Sequence, residues 1–325
     1  MHTFHDGSLS GKSFLVTGGA GFIGSHIVAY LLHHGARKVR VLDNLLTGLQ
    51  SNVDLFKDHL AYEFMLGDIR SESDCERALE GIDHVSHQAA LGSVPRSVKD
   101  PVTSNDINVG GTLMVFEKAR QAGVKSLVYA SSSSVYGDEP NLPKREERVG
   151  NPLSPYAVTK KTNELYADVY FKLHGMKLLG FRYFNVFGPR QDPNGPYAAV
   201  IPLFVSGILQ KTPVYINGDG EQNRDFTYVD NAVQANVRGM LTQNEAAYGK
   251  VYNIAVGENF TVNFLFESIR EQLGEDHAPT YREPRAGDIQ ASLADISLAQ
   301  QLLGYQPTDR FLDGLTKTVD YFRNR

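Results

Sequence analysis

Tyr156 and Lys160 stand four residues apart, so on a helix they share one face. A phenol with an ordinary pKa of about 10 is a weak base at neutral pH. A neighbouring ammonium favours its phenolate, which makes the pair a candidate base for taking a proton from an alcohol. With 16 tyrosines in the chain, about one such pair arises by chance, so spacing alone decides nothing. What lifts the pair is the run Tyr129-Ala130-Ser131-Ser132-Ser133-Ser134, which ends a predicted strand and delivers hydroxyls to the carboxyl edge of a sheet. Ser132 also reads as a plain strand-end cap, and four serines in a row leave the register open by one residue.

Upstream, Thr17-Gly18-Gly19-Ala20-Gly21-Phe22-Ile23-Gly24 joins a predicted strand to a predicted helix. Of Gly18, Gly21 and Gly24, one permits a tight turn, one lets backbone approach a pyrophosphate and one allows close helix–strand packing. The helix N-terminus offers its free N–H groups to phosphate. A glycine trio by itself reads equally as a flexible loop; the strand before and the helix after give it weight. Asp43 ends the second strand, 19 residues after Gly24. A carboxylate there accepts both adenosine ribose hydroxyls and repels a 2′-phosphate, so NAD is expected over NADP. Asp68-Ile69 and His87-Gln88-Ala89-Ala90 end the next two strands at the same edge.

The elements that must position these residues alternate. Ser13–Thr17, Lys38–Asp43, Tyr62–Gly67, His84–His87, Ser126–Ser131 and Lys177–Tyr183 read as strands, and Ser25–His34, Ser71–Leu79, Pro101–Ala122 and Pro155–Gly175 as helices. Such alternation predicts an α/β fold, a doubly wound parallel sheet covered on both faces. Beyond Tyr183 the texture changes: Pro189, Pro193, Gly195 and Pro196 break the pattern, and turn signals fall at Asn217-Gly218-Asp219-Gly220 and Arg285-Ala286-Gly287-Asp288. A smaller second lobe is expected from about residue 185, with Val251–Val256 a further buried strand that returns to the main sheet.

Charge narrows the partners. The 32 basic residues against 37 acidic ones give −5, without a basic run, so nucleic acid is not an expected partner. Cys75, the lone cysteine, permits no internal disulfide and reads as an ordinary helix residue. No secretory signal and no apolar stretch of about 18 residues is visible, Tyr197–Leu209 coming nearest. The expectation is a soluble cytoplasmic protein with no membrane partner. His84 and His87 form an H-x-x-H on a predicted strand with no acidic residue at suitable spacing, so no metal site is expected. His33-His34 ends a helix as a charge cap.

Together these segments closely resemble the extended short-chain dehydrogenase/reductase family from Ser13 to about Tyr321. The resemblance is carried by the glycine motif, Asp43, Asp68-Ile69, Gln88-Ala89-Ala90, Asn108, the serine run with Val135-Tyr136-Gly137, Tyr156-x-x-x-Lys160 and Arg182-Tyr183-Phe184-Asn185-Val186-Phe187-Gly188. It implies a Rossmann NAD-binding domain over residues 1–184, with later segments near 227–260 returning to it. A smaller α/β UDP-sugar domain covers 185–325. It implies oxidation of a sugar at C4, with Tyr156 taking the hydroxyl proton, Ser132 hydrogen-bonding the reacting oxygen and Lys160 holding the nicotinamide ribose.

The cofactor contacts it implies are Gly18, Gly21, Phe22, Ile23, Gly24, Asp43, Asn44, Thr47, Gly48, Asp68, Ile69, Gln88, Ala89, Ala90, Asn108, Tyr183 and Val186, beside Tyr156 and Lys160. The substrate contacts are Gly92, Ser132, Ser133, Ser134, Tyr156, Asn185, Gln191, Ala199, Val200, Tyr215, Asn217, Arg224, Arg285, Asp288 and Ser292. Two arginines suit a diphosphate because guanidinium binds it bidentately.

Three reactions branch from the 4-keto sugar in such enzymes. Dehydratase relatives replace the serine run by Thr-Asp-Glu and decarboxylase relatives carry a glutamate there, whereas Ser132-Ser133-Ser134 offers no carboxylate. The resemblance therefore implies 4-epimerisation, best matched by UDP-N-acetylglucosamine and UDP-N-acetylgalactosamine, with UDP-glucuronate and UDP-N-acetylglucuronate next. In relatives restricted to non-acetylated hexoses a tyrosine stands where Ser292 stands here. A homodimer through the Pro101–Ala122 and Pro155–Gly175 helices is also implied. A non-catalytic NAD-binding regulator on the same fold is the competing class, and the intact Tyr156/Lys160 pair speaks against it.

Overall fold

The six expected strands are present, each within a residue of its expected ends: β1 (Ser13–Thr17), β2 (Lys38–Asp43), β3 (Tyr62–Leu66), β4 (His84–His87), β5 (Ser126–Ser132) and β6 (Leu178–Tyr183). β7 (Val186–Phe187), β8 (Tyr215–Asn217), β9 (Asn223–Arg224) and β10 (Thr227–Tyr228) are short. β11 (Lys250–Ile254) then returns and pairs in parallel with β6, Tyr252 opposite Phe181. The computed structural model describes residues 2–193, 199–284 and 290–324. Its main sheet runs β11-β6-β5-β4-β1-β2-β3, all parallel. This is the doubly wound Rossmann-type α/β fold expected.

Unbroken burial explains the unbroken apolar runs, because helices cover both faces of the sheet. One layer holds α1 (Phe22–His33), and the opposite one holds α3 (Glu72–Leu79), α2 (Gln50–Asp54) being a short connector. The strands divide their side chains between these layers: Phe14 and Val16 pack with Ile27 and Tyr30, while Leu15, between them, packs with Ala78 and Leu79. α4 (Val94–Lys99), α5 (Pro101–Asn105), α6 (Thr112–Gln121) and α7 (Pro155–His174) follow in the second layer's part of the chain. α7 begins and ends where its sequence says. Ser154 Oγ caps the Ala157 N–H at 3.1 Å, Pro155 occupies the first turn, and Gly175 closes the helix at φ +62°.

The single helix expected over Pro101–Ala122 is divided. Between α5 and α6 lies a π-helical turn, Asp106–Gly111. Asn108 explains it: fully buried, its amide takes the Leu91 N–H at 2.7 Å and donates to the Leu91 carbonyl at 3.1 Å and Thr159 Oγ1 at 3.2 Å. The extra residue per turn aims that side chain at the loop after β4.

Later elements are α8 (Val200–Leu209), α9 (Val229–Leu241), β12 (Phe260–Thr261), α10 (Val262–Leu273), β13 (Thr280–Arg282), α11 (Ser297–Leu303) and α12 (Phe311–Arg323). α9 and α11 join the α1 layer through Val233, Val237, Ala299 and Leu303. α8, α10 and α12 enclose their own core, in which Phe311 stacks on Phe260 at 4.6 Å and on Phe226 at 5.2 Å. Among the described residues no helix is long and apolar enough to cross a membrane.

Candidate active site

The sheet reverses its winding between β1 and β4, and the crevice at their carboxyl ends is where such folds take ligands. A cavity of about 570 Å³ opens there. Gly18 and Gly24 build its floor by close approach: a Cβ on Gly18, at φ +69°, would fall 2.6 Å from the Ala89 nitrogen, and one on Gly24 would fall 2.2 Å from the Gly18 carbonyl oxygen. Gly21 is different. It lines the cavity, and its Cβ would meet only the Gly18 oxygen, at 3.2 Å. The missing side chain there leaves room on the cavity side, directly over the N-terminus of α1, which has no side-chain cap and no acidic residue in its first turn. That is a cradle for a diphosphate.

Asp43 closes the far end. Its carboxylate accepts the Ala20 N–H at 3.0 Å and the Leu45 N–H at 2.9 Å, and burial pushes its pKa above the usual carboxylate value against those two bonds. Asn44, Thr47 and Gly48 line the wall beside it, and a Cβ on Gly48 would come within 2.8 Å of Asp43 Oδ1. A dinucleotide with free ribose hydroxyls fits this end, and a 2′-phosphate does not. Ile69, Gln88, Ala89 and Ala90 line the same cavity, with Phe22, Ile23, Tyr183 and Val186. Asp68 and Asn108 do not. The Asp68 carboxylate is gripped by Arg70 at 2.7 and 3.0 Å and by Asn44 at 3.0 Å, and Arg70 holds its pKa down at about 2. Asn108 acts one step back, through Leu91.

At the other end α7 presents Tyr156 and Lys160 to the carboxyl end of β5, and both line the cavity with Ser131 and Ser132. Ser132 Oγ accepts the Ser134 N–H at 3.1 Å and is hydrogen-bonded to the Tyr156 side chain. The cap geometry of Ser132 and its bond to Tyr156 coexist; Ser131, also at the cavity wall, donates to Glu164 at 2.7 Å, while Ser133 and Ser134 do not line the cavity. Lys160 Nζ donates to the Ala130 carbonyl at 2.8 Å and lies 5.8 Å from the Tyr156 ring centre. Burial lowers the Lys160 pKa to about 8. Burial also raises that of Tyr156, with the Ser132 bond opposing. The expectation that Lys160 holds Tyr156 below its ordinary value is therefore not met by the protein alone, because the ammonium is directed at the Ala130 carbonyl.

Ser97 and Asn236, which the sequence reading did not single out, support this centre, as does His87. Ser97 Oγ accepts the Tyr156 N–H at 3.0 Å. Asn236 donates to Tyr183 Oη at 2.7 Å and accepts from Gln88 at 2.9 Å. His87, pushed down to about 3 by burial, bridges Thr17 at 2.7 Å and Thr112 at 2.9 Å, while His84 meets Ser126 at 2.8 Å. Three apart on a strand, the two histidines face opposite layers. Their partners lie far away in sequence, so no local pattern announces them.

A second cavity, of about 580 Å³, is lined by Val200, Tyr215, Asn217 and Arg224 of the expected substrate residues. Asn185 lines both cavities, held at φ +33° with its amide on the Asp225 carbonyl at 3.0 Å. Gly92 and Gln191 line the first cavity. The Gln191 loop is clasped to α1 by Arg190, which meets the Ser25 carbonyl at 3.0 Å and His26 at 2.8 Å. Ala199 is the N-cap residue of α8, an uncapped helix start beside this second cavity. Ser292 lines neither cavity; its N–H is held by Asn223 Oδ1 at 3.3 Å. Arg285 and Asp288 lie outside the described residues. Arg282, a further cavity residue, stacks its guanidinium 3.1 Å over the Tyr215 ring.

Residues 14–255 match the NAD dependent epimerase/dehydratase family. The UDP-glucose 4-epimerase of Mycolicibacterium smegmatis is 38% identical over 314 residues, 96% of this chain and 98% of that one. The UDP-N-acetylglucosamine 4-epimerase of Methanobrevibacter ruminantium, solved with UDP-N-acetylmuramic acid, superposes with a TM-score of 0.91 at 41% identity, covering 96% and 98% of the two chains. The UDP-glucose 4-epimerase of Thermus thermophilus, solved with NAD, gives 0.84 at 38% identity, covering 96% and 99%.

Proposed function

We propose, from the premise that this chain belongs to the NAD dependent epimerase/dehydratase family, that it interconverts the C4 epimers of a UDP-hexose through a 4-keto intermediate. The substrate pair is UDP-N-acetylglucosamine and UDP-N-acetylgalactosamine. An oxidised nicotinamide bound in the first cavity would supply a reversible hydride acceptor for C4, and its positive charge would favour the Tyr156 phenolate. Tyr156 removes the C4 hydroxyl proton and later restores it. Ser132 hydrogen-bonds the reacting oxygen, and Lys160 holds the ribose next to the ring. Arg224, Arg282 and the start of α8 meet the diphosphate and uridine.

One observation carries the epimerase reading over dehydration. Asp43 is the single carboxylate among the described residues lining either cavity. It lies three strands from β5, about 14 Å at about 4.8 Å per strand. Among the described cavity-lining residues no acid–base pair stands near Tyr156 to remove water across C5–C6. The likeness to the Methanobrevibacter ruminantium enzyme supports an acetylated sugar. Val158, Leu165, Val169 and Leu173 form an exposed apolar stripe on one face of α7, with Val98 and Val102 beside it. A homodimer through that face is part of the proposal. The test is incubation with a panel of UDP-hexoses and UDP-uronates without added NAD, read by the anomeric protons in NMR. A second C4 epimer with no net NADH supports the reading; a persistent 4-keto product, or a need for fresh oxidant, overturns it.

A further inference from the structure

Asn253 sits on β11 with no exposed surface, and both ends of its amide are engaged. Its carbonyl accepts Tyr136 Oη at 2.6 Å. Its two N–H groups donate to the Lys144 carbonyl at 2.8 Å and the Asp295 carbonyl at 3.0 Å. Its backbone N–H goes to Glu146 Oε1 at 2.8 Å. One residue thus joins three separate stretches of chain. Tyr136 ends the 3₁₀ turn that starts immediately after Ser132. Lys144 lies in the loop that follows, and it pairs with the 293–295 strap through Leu293 at 2.7 Å and Asp295 at 2.9 Å. The strap is fastened in turn to the second cavity. Ala294 donates to Asp225 at 3.2 Å and Ser292 to Asn223 at 3.3 Å, and these two residues flank Arg224.

We propose that Asn253 is a positioning residue that fixes the substrate cavity against the catalytic serine. The proposal rests on the epimerase reading above. Its chemistry is that of an amide and of no other side chain. A carboxylate at 253 would face two carbonyl oxygens without a donor for either, and a leucine would strand all three partners. A protonated acid, by contrast, accepts from Tyr136 and donates to one carbonyl. The charged groups around position 253 are Glu146, Arg182, Lys144, Arg145 and Asp295. Burial, with the carboxylates of Glu146 and Asp295, favours the protonated form of an introduced acid against the opposing pull of Arg182, Lys144 and Arg145, so its effect is tunable with pH.

The experiment compares wild type with Asn253→Asp at pH 6 and pH 8, reading kcat and KM for UDP-N-acetylglucosamine, NAD retention, and hydrogen exchange in peptides covering 139–150 and 290–296. At pH 8 the variant should raise KM about tenfold or more with kcat within about threefold, retain NAD, and exchange faster in both peptides. At pH 6 the KM ratio to wild type should shrink to about threefold or less. An unchanged KM, a loss confined to kcat, or an equal defect at both pH values overturns the proposal. Should Asn253→Asp not fold, Tyr136→Phe removes one bond of the hub and keeps the ring: a KM rise of about threefold with kcat retained supports the proposal, and an unchanged KM overturns it. If wild type turns over no UDP-sugar, the epimerase reading fails by itself, and the exchange comparison still decides whether Asn253 ties the strap to the loop.

Discussion

Glu164 and Arg182 hold each other by two parallel hydrogen bonds, Nε to Oε1 at 2.8 Å and Nη2 to Oε2 at 2.9 Å, where neither side chain is more than 5% exposed. Glu164 is one turn beyond Lys160 on α7, and Arg182 is on β6, so the pair pins the catalytic helix to the sheet. Ser131 donates to the same carboxylate at 2.7 Å, which fixes the residue before Ser132. Arg182→Met removes the buried cation and leaves the carboxylate only the more exposed Lys161, at 3.3 Å, so a loss of up to about 3–5 kcal/mol is expected. Urea unfolding measures it; a loss under about 1 kcal/mol would show the pair to be idle.

Tyr156→Phe keeps the ring and removes the oxygen that Ser132 touches. Turnover should fall by about 10²–10⁴ with an unchanged thermal transition. Lys160→Ala should lose turnover and also retain less NAD after purification. Near-normal turnover in a natively folded Tyr156→Phe would remove the phenol from the mechanism.

The glycines of the loop separate folding from binding. In Gly24→Ala the new methyl strikes the Gly18 carbonyl, 2.2 Å away, and a loss of about 1–3 kcal/mol is expected without any ligand. Gly21→Ala meets one atom, at 3.2 Å, so its melting temperature should stay near wild type while NAD retention drops. Equal stability losses in the two variants would mean that Gly21 is also there for the fold.

Asp225 gives a pH dependence with a definite sign. Fully buried, it accepts the N–H groups of Val256, Gly257 and Ala294 at 3.1, 3.1 and 3.2 Å, and burial pushes its pKa up from 3.8 to about 7. Between those values the folded protein keeps a proton that the unfolded chain has released, so its contribution to stability is present below 3.8 and lost as pH rises to about 7. Unfolding followed from pH 4 to pH 8 should show this fall in wild type, and Asp225→Asn should flatten it. Parallel curves would mean that the carboxylate titrates as an ordinary one.

Short-range signals were the legible ones. The glycine loop, the Pro155–Gly175 limits of α7 and the Tyr156/Lys160 face depend on neighbours within one or two turns, and the structure places them within a residue of the pattern's limits. β11 was readable from its own β-branched and aromatic run. The π-helical turn was not, because Asn108 is drawn out of register by Leu91, a partner on another element. Asn236, Ser97 and Asn253 escaped for the same reason. Each looks like an ordinary polar residue until the chain brings up Gln88, Tyr156 or Tyr136, which lie 148, 59 and 117 residues away.

The place of β11 has a consequence for how the protein is made. β6 has its neighbour β5 as soon as it emerges during synthesis, but its other flank stays unpaired until residues 184–249 have been completed and β11 arrives. During that interval Leu178–Phe181, apolar apart from Gly180 and buried in the finished molecule, forms a free sheet margin with open N–H and C=O groups. Such a margin invites pairing with another nascent chain. A shortened product ending near residue 184 would carry the whole glycine loop and the Tyr156/Lys160 pair, and it would also carry this sticky border permanently.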